Sequence, residues 1–177
     1  MKIIVLAGMP GAGKEEFVEV ARTVGYDVVR MGDVVREWAA RQGIGSDDRS
    51  IGGYADAERK RHGYDIWARR SADKVHAERT IIDGSRGVDE LRVFKSAFGE
   101  DVVLLAISSS KKARFERLQR RGRKDAPKTW EEFLARDERE LSWGLGGLMA
   151  LADETIINEG ALQDFKRNVR KYLVKRG

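Results

Sequence analysis

The sequence predicts an α/β fold, a three-layer α/β/α sandwich with a five-stranded parallel sheet. Five short apolar runs indicate strands, and segments with apolar residues at helical spacing separate them. These runs are nearly continuous rather than alternating, which is typical of strands buried on both faces of a parallel sheet. The predicted strands are Lys2–Gly8, Asp27–Arg30, Thr80–Asp83, Asp101–Ile107 and Glu154–Ile157.

Helical patterns fill the segments between these strands. The predicted helices begin near Lys14, Val34, Val88, Ser110, Thr129 and Leu162. The sequence "TWEE" at Thr129 has the form of a capping box, which predicts a helix start there. From Val34 to about Glu78 the pattern is helical, but five glycines predict breaks in it: Gly43, Gly45, Gly52, Gly53 and Gly63.

Length and composition predict one domain spanning residues 1–177. The chain has 177 residues with 41% apolar content, two prolines and no repeat or Ser/Gly linker. It contains no apolar run of about 18 residues, so we expect no membrane association through a spanning helix. The absence of cysteine excludes disulfides and thiolate-bound zinc, and fits a cytoplasmic location.

The charge balance leaves the partner open. Charged residues make up 36% of the chain, the formal net charge is +5 and the sequence pI is near 9.5. A basic balance suggests an anionic partner, either a nucleotide phosphate or a nucleic-acid backbone. A heavily charged solvated surface, of the kind thermophiles favour, would have the same composition.

The stretch "GMPGAGKEEF" follows the first predicted strand and opens the first predicted helix. Gly8, Gly13 and Lys14 match the phosphate-binding pattern G-x-x-x-x-G-K-[ST]. Glycines let successive backbone N–H groups face one anion, and the helix adds its positive end. We expect Lys14 to reach the β- and γ-phosphates of a nucleotide. The predicted nucleotide-binding residues here are Gly8, Met9, Pro10, Gly11, Ala12, Gly13, Lys14, Glu15 and Glu16.

Two glutamates depart from this pattern. Glu15 stands where the pattern has a hydroxyl that helps to hold Mg²⁺. Backbone N–H groups bind phosphate whatever the side chain, and Glu is favourable near a helix N-terminus, so the loss falls on the metal ligand alone. Asp33 and Asp83 lie at or just past strand ends, and we expect them to hold Mg²⁺ through water.

The loop "GMPGAGK" closely resembles the G-x-P-G-x-G-K loop of adenylate kinases and their nucleoside-monophosphate kinase relatives. The chain is similar to adenylate kinase-related P-loop proteins of archaea, a group often described as dephospho-coenzyme A kinase-like. In adenylate kinases the residue after the lysine is usually Gly and the next is typically Thr, where this chain has Glu15 and Glu16. The resemblance implies a nucleotide-kinase P-loop fold with ATP and Mg²⁺ as cofactors.

Two further motifs resemble the acceptor site of that family. "MGDVVRE" resembles T-G-D-x-x-R, which implies that Arg36 binds the acceptor phosphate. "IIDGSRG" resembles D-G-[FY]-P-R, one residue shorter, which implies that Asp83 supports Mg²⁺ and that Arg86 also binds the acceptor phosphate. Glu90 falls near the position of a base-reading glutamine, so base preference stays open. The implied acceptor-binding residues are Met31, Gly32, Arg36, Gly84, Arg86 and Glu90, within and after a helical insert at about residues 32–79.

The resemblance also implies an arginine-bearing lid at about residues 110–145. It would supply Arg117, Arg121, Arg136 and Arg139, and "ADETIINEG" resembles the segment that contacts the donor base, which implies roles for Asn158 and Gly160. The implied catalytic residues are Lys14, Arg36, Arg86, Arg117, Arg121 and Arg136. Arg114, Arg117 and Arg121 share a helix face, which favours a lid, with solvated surface and a nucleic-acid contact as the alternatives.

These motifs imply ATP-dependent phosphoryl transfer to a nucleoside monophosphate, with an AMP-like acceptor favoured. Three alternatives stay open. One is transfer to a ribose hydroxyl, as in dephospho-coenzyme A kinases, with Asp33 as base. The others are an RNA- or ribosome-associated ATPase and a nucleotide-binding regulatory module without turnover. We expect a small-molecule acceptor first, nucleic acid second, and a monomer or small homo-oligomer.

Overall fold

A parallel sheet forms the centre of the computed structural model, which describes residues 1–122 and 126–176. Its strand order is β2-β3-β1-β4-β5, and helices cover both faces, so the predicted fold class is confirmed. The strands are β1 (Lys2–Ala7), β2 (Asp27–Arg30), β3 (Arg79–Asp83), β4 (Val102–Ser108) and β5 (Glu154–Ile157). Each matches its predicted run to within one residue at either end.

The helices lie in the connections between these strands, because parallel strands cannot be joined by tight turns and need longer crossovers. They are α1 (Lys14–Thr23), α2 (Met31–Arg41), α3 (Asp48–His62), α4 (Ile66–Ala72), α5 (Val88–Phe98), α6 (Lys111–Arg121), α7 (Trp130–Ser142), α8 (Leu145–Ala150) and α9 (Leu162–Arg176). A 3₁₀ turn, Gly99–Asp101, precedes β4. None of the helices in the described ranges is both long and apolar enough to cross a membrane.

Strand β1 lies at the centre of the sheet and sets the place of the site. Leu6 pairs with Asp83 of β3 on one side and with Leu105 of β4 on the other. Asp83 also pairs with Arg30, the last residue of β2. The carboxyl ends of these strands therefore meet at one edge, where an open α/β sheet binds its ligands.

The two faces of the sheet pack against separate clusters. Ile3 and Val5 face a cluster that includes Trp67, Phe94 and Leu148. Ile4 and Leu6 face the other cluster, in which the side chains of Phe17, Phe165 and Leu173 are buried. Successive strand residues alternate between faces, and both faces are covered, so β1 is apolar at every position after Lys2.

The glycine-rich region between β2 and β3 differs from its prediction at two glycines. Gly52 and Gly53 lie inside α3 and do not break it. The helix begins after Asp47, whose side chain accepts a hydrogen bond from the Ser50 N–H (3.0 Å), and it ends at Gly63, whose φ is 99°. The cap at Asp47 and the positive φ of Gly63 set the two ends of this helix, whereas Gly52 and Gly53 only lower its helix propensity.

The helix predicted at Thr129 begins there. The Thr129 hydroxyl accepts a hydrogen bond from the Glu132 N–H (3.2 Å), and the Glu132 carboxylate accepts one from the Lys128 N–H (2.6 Å). The reciprocal bond thus reaches one residue further back than in the standard capping box. This cap fixes the start of α7, which carries several of the site residues described below.

Candidate nucleotide and acceptor site

The loop between β1 and α1 has the backbone that its glycines permit. Gly11 and Gly13 have φ values of 80° and 113°, which favour glycine. A Cβ at Gly13 would also lie 2.5 Å from Asn158 Nδ2, and one at Gly8 would lie 2.9 Å from the Ile107 carbonyl oxygen. The loop therefore packs closely against β4 and the segment after β5, and its positive φ values allow backbone N–H groups to face an anion.

Lys14 bends back over this loop. Its ammonium donates hydrogen bonds to the Gly8 carbonyl and, at 3.4 Å, to the Met9 carbonyl. Burial lowers the pKa of Lys14, and the nearby carboxylates of Asp83 and Glu140 act in the opposite direction. Its cationic head thus lies in a site with little water, where attraction to a phosphate is strong.

The two glutamates after Lys14 each have a basic partner. Glu15 Oε1 lies 2.5 Å from Arg30 Nη2, and this hydrogen bond raises the pKa of Arg30. Glu16 Oε2 lies 2.9 Å from Lys166 Nζ. Each carboxylate is paired with a basic side chain, which reduces its repulsion of an anion in the loop. The charge of the two glutamates is thus partly offset within the fold, but the hydroxyl ligand of the phosphate-loop pattern is not replaced.

Asp83 is the carboxylate that faces Lys14 from β3. Its Oδ1 is buried and has no hydrogen-bond partner among the described residues. Burial raises the pKa of Asp83, an effect that Lys14 and Arg30 oppose and Glu15 increases. A buried acceptor without a partner is costly, so the site favours a cationic or hydrogen-bonding ligand here.

The donor set at this point fits Mg²⁺ held mainly by phosphate and water. Within residues 1–122 and 126–176 no group of three or more His, Asp or Glu side chains could hold a metal by itself. Asp33 is exposed in the first turn of α2, where it pairs with Arg36 at 2.5 Å. One protein carboxylate completed by phosphate oxygens and water is a usual Mg²⁺ environment.

A cavity of about 140 Å³ lies over the loop and brings several predicted residues together. It is lined by Pro10, Gly11, Gly13, Lys14, Glu15, Asp83, Leu118, Arg121, Ala126 and Arg136. Arg121 of α6 and Arg136 of α7 therefore face the same space as Lys14. The residues between them, 123–125, lie outside the described part of the chain.

Arg114 differs from its two neighbours on the predicted basic face because it is buried. Its side chain is 4% exposed and forms a two-point ion pair with Asp137 of α7, at 2.8 and 2.5 Å. Arg114 Nη1 also donates to the Pro10 carbonyl at 3.2 Å. This arginine is therefore neither a nucleic-acid contact nor solvated surface, and it ties α6 and α7 to the loop.

Arg117 and Asn158 lie on the other side of the loop. Asn158 Nδ2 donates to the Ala12 carbonyl (2.8 Å), and Arg117 donates to the Asn158 carbonyl (2.8 Å) and to Ser109 Oγ (2.8 Å). A cavity of about 340 Å³ opens here and includes Gly160. Arg117 thus braces the segment predicted to contact the donor base, and its catalytic role stays a prediction.

A larger cavity, of about 570 Å³, lies on the β3 side of the loop, and we call it the acceptor cavity. It is lined by Asp56, Arg59, Lys60, Tyr64, Arg86, Gly87, Val88, Asp89, Glu90, Ser142, Trp143, Gly144 and Gly147. Of the predicted acceptor residues, Arg86 and Glu90 line it. A Cβ at Gly84 would lie 3.4 Å from the Met31 Cβ and 3.8 Å from the Gly32 nitrogen, so these three residues meet beneath the site.

Arg36 and Arg139 lie apart from both cavities. Arg36 is exposed on α2, with Asp33 as its partner, and Arg139 is exposed on α7. Neither side chain is among those lining the phosphate-loop cavity or the acceptor cavity. Their roles in binding stay predictions.

Glu90 shapes the loop that carries Arg86. Its Oε2 accepts hydrogen bonds from the Arg86 N–H (2.6 Å), the Gly87 N–H (3.3 Å) and Ser85 Oγ (3.1 Å). Its Oε1 lies 3.9 Å from Arg59 Nη2. Burial raises the pKa of Glu90, while these hydrogen bonds and Arg59 favour its charged form.

Four residues of the site were not among the predicted catalytic or binding residues: Arg59, Tyr64, Glu140 and Trp143. Tyr64 is 69% exposed and Trp143 48% exposed at the edge of the acceptor cavity, whereas Trp67 is fully buried core. Arg59 lies in the basic run "RKRH" that ends α3. A run of charge at a helix end gave no signal beyond a favourable interaction with the helix dipole.

A glycine loop with a bent-back lysine at the carboxyl edge of a parallel sheet, beside a second cavity, defines a P-loop kinase-like domain. A family model described as an AAA domain matches residues 7–133. UPF0200 protein TV0279 of Thermoplasma volcanium is 47% identical over 172 residues, 97% of this chain and 96% of the relative. A UPF0200 protein of Hyperthermus butylicus is 41% identical over 174 residues, 97% and 92% of the two chains. The chain therefore belongs to the UPF0200 family and carries the AAA domain of that model.

Solved structures share the fold at low sequence identity. The protein TT1252 of Thermus thermophilus aligns with a TM-score of 0.67 at 16% identity, over 99% of this chain and 98% of the other. A shikimate kinase of Acinetobacter baumannii aligns with a TM-score of 0.60 at 12% identity, over 99% and 94%. A gluconokinase of Sinorhizobium meliloti gives 0.56 at 14%, over 99% and 93%. At these identities the likeness shows the fold alone.

Proposed function

We propose that the protein transfers the terminal phosphoryl group of ATP to a nucleoside monophosphate, with an AMP-like acceptor favoured. One observation carries the proposal. Asp83 lines the cavity over the loop together with Lys14, and Arg86, only three residues further along the chain, lines the acceptor cavity. Two phosphate-binding cations, one for each substrate, thus approach a common point, which is what in-line transfer between two phosphates needs.

The donor side follows from the loop. The loop amides and Lys14 would hold the β- and γ-phosphates, and the segment around Asn158 and Gly160 would lie beside the base. Mg²⁺, when bound through water at Asp83, would neutralise charge on these phosphates. Arg121 and Arg136 would neutralise the charge that develops on the moving group.

The acceptor side follows from the larger cavity. Its volume of about 570 Å³ is typical of small-molecule sites, and it offers Arg59 and Arg86 to a phosphate. Tyr64 and Trp143 offer aromatic faces to a base. Arg59 is largely buried, and burial lowers its pKa, while Glu90, 3.9 Å away, and Asp56 act in the opposite direction. An acceptor phosphate would add a closer countercharge. If the acceptor is a phosphate oxygen, no general base is needed.

A hydroxyl acceptor is the second candidate. It is favoured by the structural likeness to a shikimate kinase and a gluconokinase, whose names denote compounds that carry hydroxyl groups. Transfer to a hydroxyl, including the ribose hydroxyl of dephospho-coenzyme A, would need a carboxylate base. Asp33 is the candidate from the sequence, and it would first have to leave its ion pair with Arg36.

The test is phosphoryl transfer from γ-labelled ATP with Mg²⁺, against AMP, CMP, UMP, GMP, dephospho-coenzyme A, shikimate, gluconate and water, one at a time. We expect label on a monophosphate, and most on AMP. Glu138→Gln, an exposed change on α7, should transfer at the rate of the wild type. Label on a hydroxyl compound would select the second candidate. Label released only as phosphate, and faster with RNA, would favour an RNA-associated ATPase over any kinase.

A further inference from the structure

Arg86 is held at one edge and on one face by the corner between α7 and α8. Its Nε donates to Glu140 Oε2 at 3.0 Å, and its guanidinium carbon lies 5.2 Å from the centre of the Trp143 ring. Its terminal nitrogens donate no hydrogen bond to any other described residue. The edge of a guanidinium that matches a phosphate is therefore unused, while the rest of the group is fixed.

The same helix is attached to the nucleotide loop. Asp137 lies one turn before Glu140 on α7 and binds Arg114, which donates to the Pro10 carbonyl. Arg136, its neighbour, lines the cavity over the loop. One helix thus connects the donor loop at one turn to the acceptor arginine at the next, a rise of about 5 Å along the axis.

The burial of the pair indicates a role other than stability. Glu140 is 13% exposed, but Arg86 is 40% exposed. A pair with one partner this open to water contributes little to folding. Its effect on the orientation of Arg86 matters more, because a small error in the position of a phosphate-binding group greatly lowers the rate of transfer.

We propose that Glu140 is a positioning residue, which holds Arg86 so that its terminal nitrogens face the acceptor phosphate, with Trp143 setting the plane of the guanidinium. The inference rests on the proposed function, because it assigns a task to Arg86 in the acceptor cavity. Glu140 lines neither the cavity over the loop nor the acceptor cavity. Its effect on acceptor binding must therefore pass through Arg86, whereas its charge near Lys14 would act on the donor, and KM for ATP separates the two effects.

The test is a double-mutant cycle of Glu140→Ala and Arg86→Ala, with Glu138→Ala as the matched control on the exposed face of α7. AMP binding is measured first by calorimetry, which needs no turnover, and then KM for AMP and for ATP. We expect Glu140→Ala to weaken AMP binding about tenfold while leaving KM for ATP within about twofold. Glu140→Gln, which can still accept from Nε, should restore most of that loss. In the Arg86→Ala background, Glu140→Ala should have no further effect.

Several results would overturn the inference. The first is an AMP affinity of Glu140→Ala equal to that of Glu138→Ala. The second is a rise in KM for ATP as large as that for AMP in Glu140→Ala. The third is a full additional loss of AMP affinity when Glu140→Ala is combined with Arg86→Ala. A wild type that binds none of the monophosphates nor dephospho-coenzyme A would overturn it as well. Coupled AMP binding without phosphoryl transfer would contradict the proposed function and leave this inference supported. Phosphoryl transfer by the wild type, without coupling between Glu140 and Arg86 in AMP binding, would support the proposed function and contradict this inference.

Discussion

The nucleotide loop and the acceptor cavity are adjacent, but the chain builds them differently. The loop and the start of its helix come from one stretch, Gly8–Phe17, and its geometry follows from glycines at fixed spacing. The acceptor cavity draws on the end of α3, the loop after β3 and the corner between α7 and α8. A local site can be read from local sequence. A site assembled from three distant segments depends on how helices pack, which no single motif encodes.

The largest expected effect concerns the local site. Lys14→Ala should lower kcat/KM for transfer about 10³-fold, because it removes the cation that meets the developing phosphoryl charge. AMP affinity should stay within about twofold, since the acceptor cavity is lined by other residues. Labelled transfer and AMP calorimetry measure the two quantities. An equal loss of AMP binding would mean that the two sites are not separate.

The connection between the two sites should have the next largest effect. Asp137→Ala should lower the free energy of unfolding by about 3 kcal/mol, because it leaves the buried Arg114 guanidinium without its partner. Urea denaturation measures it. Glu138→Ala, next along the helix and exposed, should change that free energy by less than about 0.5 kcal/mol. Equal losses in the two variants would show that Arg114 finds another partner.

The acceptor cavity and the sequence motif favour different arginines, and one comparison decides between them. Arg59→Ala should raise KM for the acceptor about 30-fold, the loss of one charge-assisted hydrogen bond of about 2 kcal/mol. Arg36→Ala should raise it less than about threefold, because Arg36 is exposed and paired with Asp33. Steady-state kinetics with varied acceptor give both values. A larger rise in acceptor KM for Arg36→Ala than for Arg59→Ala would place the acceptor phosphate beside α2, as the motif predicts.

The smallest effect is a pH dependence at Asp83. Burial raises its pKa in the folded state above the ordinary 3.8. The folded state therefore holds the proton more tightly, and the stability this adds is fully present below 3.8 and lost as pH rises through the raised pKa. The unfolding free energy of the wild type minus that of Asp83→Asn should fall over this range, by about 1.4 kcal/mol per unit of pKa shift.

Urea denaturation without metal, from about pH 3.5 to about 7.5, measures this difference. A difference that does not change with pH would contradict the burial of an unpartnered carboxylate at this point.

Much of the fold could be predicted because its signals are local. The strand runs, the capping residue Thr129 and the glycine loop each depend on neighbouring residues, and each lies where predicted. The sequence also predicted roles for Asp83, the last residue of β3, and for Arg86, three residues further on. Parallel strands end at one edge, so residues just past strand ends meet without any knowledge of helix packing.

The rest depends on contacts between distant segments. Arg114 and Arg117 share a helix face with Arg121, but one binds Asp137, another binds Asn158, and only the third lines the cavity over the loop. All three are arginines on one face of α6, so the sequence pattern does not distinguish them. Their different contacts depend on how α7 and the segment after β5 pack against that face. Arg59 and Glu140 were not predicted for the same reason, because Arg59 contacts Glu90 and Glu140 contacts Arg86, each on a distant segment of the chain.

The most direct test of the central claim is the fate of the label in a single turnover. Excess protein is mixed with γ-labelled ATP, Mg²⁺ and AMP, and label on the nucleotide product is compared with label in free phosphate. If the loop and the acceptor cavity form one transfer site, the wild type should place most of the label on AMP, and Arg86→Ala should shift it to free phosphate. Label that appears only as free phosphate, at the same rate with or without AMP, would contradict the account.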